Sequence, residues 1–221
     1  MVEKKHIVTA FDEDLTTLND IMARMGALAE TQLFASTEAL IARNPSDLDD
    51  IIKRDKELDD LEALLNEKVI EIIALRAPRA EDLRRVIVAL KVASTLERIG
   101  DLAKNIAKRN KVILYTTLKT QTLPSIRTMT SMVLKMLNKT LDAYVDVDAL
   151  TALDVMESDI EVDKLNTVVF QSLIEEMSYD HEQLKIGPHL LFVATNIERI
   201  GDHITGIAEQ IYFLHHGEMP D

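Results

Sequence analysis

The chain has no cysteine and no tryptophan, and its 221 residues include only six glycines, five prolines, four tyrosines and five phenylalanines. Without cysteine there can be no disulfide and no thiolate metal site, a composition compatible with a reducing cytoplasm. So little glycine and proline leaves too few turns for a sandwich, a barrel or a nucleotide-binding sheet. No apolar run approaches the roughly 20 residues that a membrane span needs. The first twenty residues, Met1 to Asp20, also lack the apolar stretch of a secretory signal. Positive charge is in deficit as well. There are 25 lysines and arginines against 38 aspartates and glutamates, a net charge of −13. A surface of that sign cannot replace the counterions of a nucleic acid, so nucleic-acid binding is excluded as a function class. Catalytic signatures are missing too: there is no nucleophile elbow, no phosphate-cradling glycine loop, and no Ser with a credible His partner.

What is abundant is Leu, Ile, Ala, Glu, Lys and Asp, the residues of long helices. Apolar residues recur at helical spacing from Leu15 through Leu18, Met22, Met25, Leu33 and Leu40, which predicts a first helix over about Asp12–Arg43 after a polar tail at Met1–Val8. Asn44-Pro45-Ser46 ends it, with Ser46 a good N-cap for a second helix over about Asp47–Arg76. Ala77-Pro78 is the next break, and a third helix follows over about Ala80–Tyr115. The Thr-rich stretch 116–122 reads as a linker, after which the plan repeats. Helices are expected over about Pro124–Val145, Ala149–Ser178 and Glu182–His215, with Gly217 as a C-terminal cap. Pro188 should kink the last helix or delay its start. The expectation is an all-α chain of six long antiparallel helices. They form two tandem three-helix bundles related by internal duplication, at 9–115 and 123–216.

The duplication is most visible in one string. Glu-Arg-Ile-Gly-Asp at 97–101 recurs unchanged at 198–202, and Asp55-Lys56-Glu57-Leu58-Asp59 is matched by Asp159-Ile160-Glu161-Val162-Asp163. Each half therefore carries two acidic pairs spaced i, i+4 on one helix face: Asp55/Asp59 with Glu97/Asp101, and Asp159/Asp163 with Glu198/Asp202. On an ideal helix these acids interrupt the apolar stripe instead of lying opposite it. Folding the second and third helices back about Pro78 sets the first two pairs level, and a turn near residue 180 does the same in the second half.

Four carboxylates converging on a helix seam must bind protons, pair with Arg or Lys, or hold a metal. Arg98 and Arg199 are adjacent in sequence and are the structural alternative to a metal. If a metal binds, all-oxygen ligands favour Mg²⁺, Mn²⁺, Ca²⁺ or iron, whereas Zn²⁺ prefers His or Cys. The lone Glu-x-x-His, Glu3 to His6, lies in the tail, so a ferritin-like di-iron bundle does not fit. Asn105, one turn beyond Asp101, is a candidate extra ligand, whereas His203 reads first as a packing or surface histidine.

Duplicated three-helix bundles with an acid-x-x-x-Asp pair on the second helix and Glu-Arg-Ile-Gly-Asp on the third resemble the PhoU family of phosphate-signalling proteins. The likeness runs from about Phe11 to Leu214 and includes Asn105-Ile106-Ala107. The second copy departs from the family's His-x-x-Asn-Ile pattern, keeping His203 but carrying Gly206 where the Asn stands. The resemblance implies a cytoplasmic, non-enzymatic negative regulator of phosphate uptake and phosphate-starvation signalling. It further implies an adaptor between the phosphate ABC transporter, through its ATPase subunit, and a sensor histidine kinase, meeting the membrane only through those partners. It also implies a homodimer and bound metal, iron or zinc among the candidates beside the manganese and magnesium that the oxygen ligands favour, on Asp55, Asp59, Glu97 and Asp101 and on Asp159, Asp163, Glu198 and Asp202. The competing function class is a metal-dependent phosphoesterase using the same carboxylates.

Overall fold

The computed structural model describes residues 2–116 and 119–220, with side chains from Ala10 onward. Among them six long helices account for nearly all of the backbone: α1 Val2–Ile41, α2 Leu48–Arg76, α3 Glu81–Ile113, α4 Leu123–Asp146, α5 Ala149–Tyr179 and α6 Gly187–His216. The all-α, six-helix expectation holds. α1 extends back through the stretch read as a polar tail, because nothing between Val2 and Asp12 is a helix breaker.

The helix ends show which local signals prevailed. The Asn44 carboxamide accepts hydrogen bonds from both the backbone N–H and the hydroxyl of Ser46, so Ser46 does not cap α2. Asp47 takes the N-cap position instead. Pro78 disfavours helical backbone at Ala77, which closes α2 in a left-handed conformation. Asp148 caps α5, its carboxylate accepting from the N–H groups of Leu150 and Thr151. The last helix starts later than Glu182. Residues His181–Lys185 form a single 3-10 turn, and Pro188 falls within the first turn of α6, where its missing N–H breaks no bond. Gly217, at φ 85°, closes α6 as expected.

Cross-strut pairs set the helix directions. Lys111–Asp49 and Lys104–Asp55 run α2 and α3 antiparallel. Lys91–Gln210 and the Arg84 guanidinium on the Leu214 carbonyl do the same for α3 and α6. Glu38–Arg127 and Glu30–Asn138 do so for α1 and α4. The bundles thus lie side by side, α3 against α6 and α1 against α4, with α2 and α5 on the two flanks. One apolar core runs through both halves, from Leu18, Met25 and Leu33 of α1 through Leu96 and Ile99 of α3 to Ile197 and Ile200 of α6, all at most 1% exposed. Each such side chain contributes about 1.5–3 kcal/mol by leaving water. No described helix is long and apolar enough to cross a membrane.

Candidate metal centre

Both acidic clusters form where a flanking helix meets a central one, α2 on α3 and α5 on α6. The glycine of each repeated motif sets how closely they approach. A Cβ on Gly100 would lie 2.2 Å from the Leu58 side chain, and one on Gly201 would lie 2.6 Å from Asp159 Oδ1. Neither position has room for a side chain. In the first half the space admits a leucine, and in the second it admits a carboxylate.

The first cluster is bridged. Asp55 is 5% exposed, and the Lys104 ammonium donates hydrogen bonds to both Asp55 and Asp101, tying α2 to α3. Burial opposes charge on Lys104, but the bonds to Asp101 and Asp55 outweigh it and hold the ammonium above the usual lysine range. Burial also raises the Asp55 carboxyl, with Lys104 acting the other way. Glu97 is half-buried, forms no ion pair with Lys104, and is pushed up to about 7, first by burial and then by Asp101, Glu62, Asp59 and Asp55. Asp59 is exposed.

The second cluster has no such bridge. Asp159, Asp163 and Asp202 each offer a ligand oxygen within 4.8 Å of the others, the one such set of three among the described residues. Asp159 is 9% exposed, and its Oδ1 has no hydrogen-bond partner. Burial, followed by Asp163 and Asp202, pushes it up to about 6. The Thr205 hydroxyl lies close enough to favour the charged form, yet it is outside hydrogen-bonding geometry and is itself buried without a partner. Glu198 is half-buried beside the three and is raised by burial, then by Asp202, Asp163 and Asp159. It does not bring an oxygen into the set. His203 also stays outside the set.

The arginines do not neutralise these sites by contact. Neither Arg98 nor Arg199 forms an ion pair among the described residues, and Arg199 favours charge on Glu198 and Asp202 only through space. Arg98 faces the other half, lining a groove of about 320 Å³ with His203, Asp202 and Gly206. The cation that matters is Lys104. Its signal was present in the sequence, since Asp101 and Lys104 are i, i+3 neighbours on one helix face. Its counterpart by duplication is Thr205.

The PhoU domain model matches this chain twice, over residues 22–109 and 126–211, each match spanning one set of three helices. This chain belongs to the PhoU family. It is 44% identical over 217 residues to the phosphate-specific transport system accessory protein PhoU homolog of Zymomonas mobilis, covering 98% of this chain and 91% of the relative. The homolog of the same description from Rhizobium meliloti is 38% identical, over 97% of this chain and 91% of its own length. Among solved structures, PhoU from Pseudomonas aeruginosa superposes with a TM-score of 0.91 at 30% identity, covering 94% of this chain and all of that one. The Streptococcus pneumoniae phosphate transport system regulatory protein PhoU gives 0.88 at 26% identity, covering 96% and 99%. The PhoU resemblance read from the acid-x-x-x-Asp and Glu-Arg-Ile-Gly-Asp strings is thereby established.

Proposed function

We propose that this PhoU-family protein is an accessory negative regulator of phosphate uptake and phosphate-starvation signalling. It acts as a homodimeric, non-enzymatic adaptor between the phosphate ABC transporter, at its ATPase subunit, and a sensor histidine kinase. The observation that carries this reading is the family match across both halves, with relatives named as accessory proteins of phosphate-specific transport. Deleting the gene should switch on phosphate-starvation reporters in phosphate-rich medium, and complementation should silence them. Reporters that stay silent in the deletion strain would overturn the regulatory role. Capture of neither the transporter ATPase nor the kinase at high phosphate would overturn the adaptor role.

We further propose that metal supports the adaptor at the carboxylates. The residues fit: Asp159, Asp163 and Asp202 converge as hard oxygen donors, and the unpartnered Asp159 Oδ1 is an acceptor in need of a cation. Glu198 stands beside them, and Asp55, Asp59, Glu97 and Asp101 are the first-half counterparts. Oxygen ligands suit manganese, magnesium or iron, with zinc a poorer match. When bound, the ion supplies positive charge that draws α5 onto α6. Asp159 and Asp163 would hold it from one helix and Asp202 from the other. The non-enzymatic assignment is checked by screening generic phosphoesters with added Mn²⁺. Turnover that disappears in Glu97→Ala would assign the carboxylates to phosphoester hydrolysis instead.

A further inference from the structure

The duplicated clusters differ in what stands at one position. In the first half Lys104 extends from α3 and donates to Asp55 and Asp101 at once, so the centre of that cluster is filled by an ammonium belonging to the chain. In the second half the duplicated position is Thr205, which carries no charge and whose buried hydroxyl lies near Asp159 without a hydrogen bond. Asp159, the counterpart of Asp55, is likewise buried; its Oδ1 sits unpaired in the Gly201 notch, and its carboxylate brings an oxygen within 4.8 Å of those of Asp163 and Asp202. With Lys104 subtracted, the first half would likewise leave a buried carboxylate, Asp55, facing Asp101 across the seam with no cation between them.

We infer that Lys104 and a metal ion are interchangeable occupants of the same duplicated position. The first half is clamped by its own lysine and takes no metal, whereas the second half is clamped by an oxygen-preferring metal cation. This rests on the proposal above that the protein binds metal, and it goes further by assigning that metal to one half. Lys104 is then a positioning residue whose charge does in α2–α3 what the ion does in α5–α6.

A swap of the two residues tests this in the full-length protein. Protein stripped with a chelator is dialysed against Mn²⁺, bound manganese is measured per chain, and helicity is followed by circular dichroism. The unaltered chain should bind Mn²⁺, and Asp159→Asn should abolish binding, as should Thr205→Lys with full helicity retained. Lys104→Thr should open the first cluster and about double the manganese per chain. The double swap, Lys104→Thr with Thr205→Lys, should return the content to that of the unaltered chain, now lost on Asp55→Asn instead of Asp159→Asn. Manganese that survives Thr205→Lys, or that is lost from the otherwise unaltered chain on Asp55→Asn, overturns the division of labour but leaves metal binding standing. No manganese in the unaltered chain or in Lys104→Thr overturns both. The reporter experiment in cells is independent of either result.

Discussion

The two halves carry the same acidic strings at matching places, yet α2–α3 and α5–α6 are sealed differently. In α2–α3 the Gly100 notch receives Leu58, and Lys104 bridges Asp55 to Asp101. In α5–α6 the Gly201 notch receives the carboxylate of Asp159, which meets no bridging cation among the described residues. One seam is closed by apolar contact and an internal ion pair, while the other leaves buried negative charge uncompensated. Duplicated sequence does not guarantee duplicated chemistry, because one side chain at the centre of a cluster decides its charge balance.

The largest effect should come from filling the notches. Gly100→Val forces Leu58, which is fully buried, out of its place and should cost about 3 kcal/mol, lowering Tm by roughly 6–12 °C. Gly201→Val meets a carboxylate tip instead, so a smaller loss of Tm is expected, together with weaker Mn²⁺ binding as Asp159 is displaced. Equal Tm losses and unchanged Mn²⁺ binding would break the contrast.

Next comes Lys104→Met in metal-free protein. It strands the buried Asp55 without its cation and should cost about 2 kcal/mol at pH 8, measured by urea denaturation. The loss should shrink at pH 4, where Asp55 can take a proton. A loss independent of pH would mean that the lysine stem, not its charge, closes the seam.

A third expectation concerns pH. Glu97 is pushed up to about 7 and Asp159 to about 6, both above their ordinary ranges of 4.5 and 3.8. The folded chain therefore holds protons that the unfolded chain has released. The contribution of these two acids to the stability of the metal-free protein is then fullest below about pH 4 and is lost as pH rises through about 6 to 7. Glu97→Gln should flatten that decline, read as Tm against pH. A variant that gains nothing on the unaltered chain as pH rises over that interval would contradict the sign.

The smallest effect marks the baseline. Lys164 pairs with Glu161 on the outer face of α5, both more than three-fifths exposed. Lys164→Ala should leave Tm within about a degree, since exposed pairs contribute little. A loss comparable to that of Lys104→Met would remove any special standing of the bridging lysine.

Much of this arrangement was legible in the residue order. Helix positions, the duplication and the level placement of acidic pairs about Pro78 all follow from local periodicity and breakers. The acids' burial was legible only in part. Asp55 and Asp159 are buried, but Asp59 and Asp163 are exposed, since an i, i+4 step turns about 40° past a full circle and carries the second acid toward the rim. Arg98 and Arg199 were the alternative to a metal because they adjoin Glu97 and Glu198, yet neighbours in sequence point about 100° apart, and Arg98 faces α6.

By itself the sequence determined the six-helix plan, the twofold repetition and the PhoU family, because these rest on periodicity, turn residues and recurring strings that need no knowledge of distant contacts. Only the tertiary structure decided that the two bundles share one core across α3 and α6, that Gly100 and Gly201 accept different partners, and that Lys104 fills one cluster while the other stays open. Those depend on which side chain from one helix fits the space left by another, and on the direction each long side chain takes to reach it. Both are consequences of packing in three dimensions, where a difference of one residue between otherwise matching motifs separates a paired charge from an unpaired one.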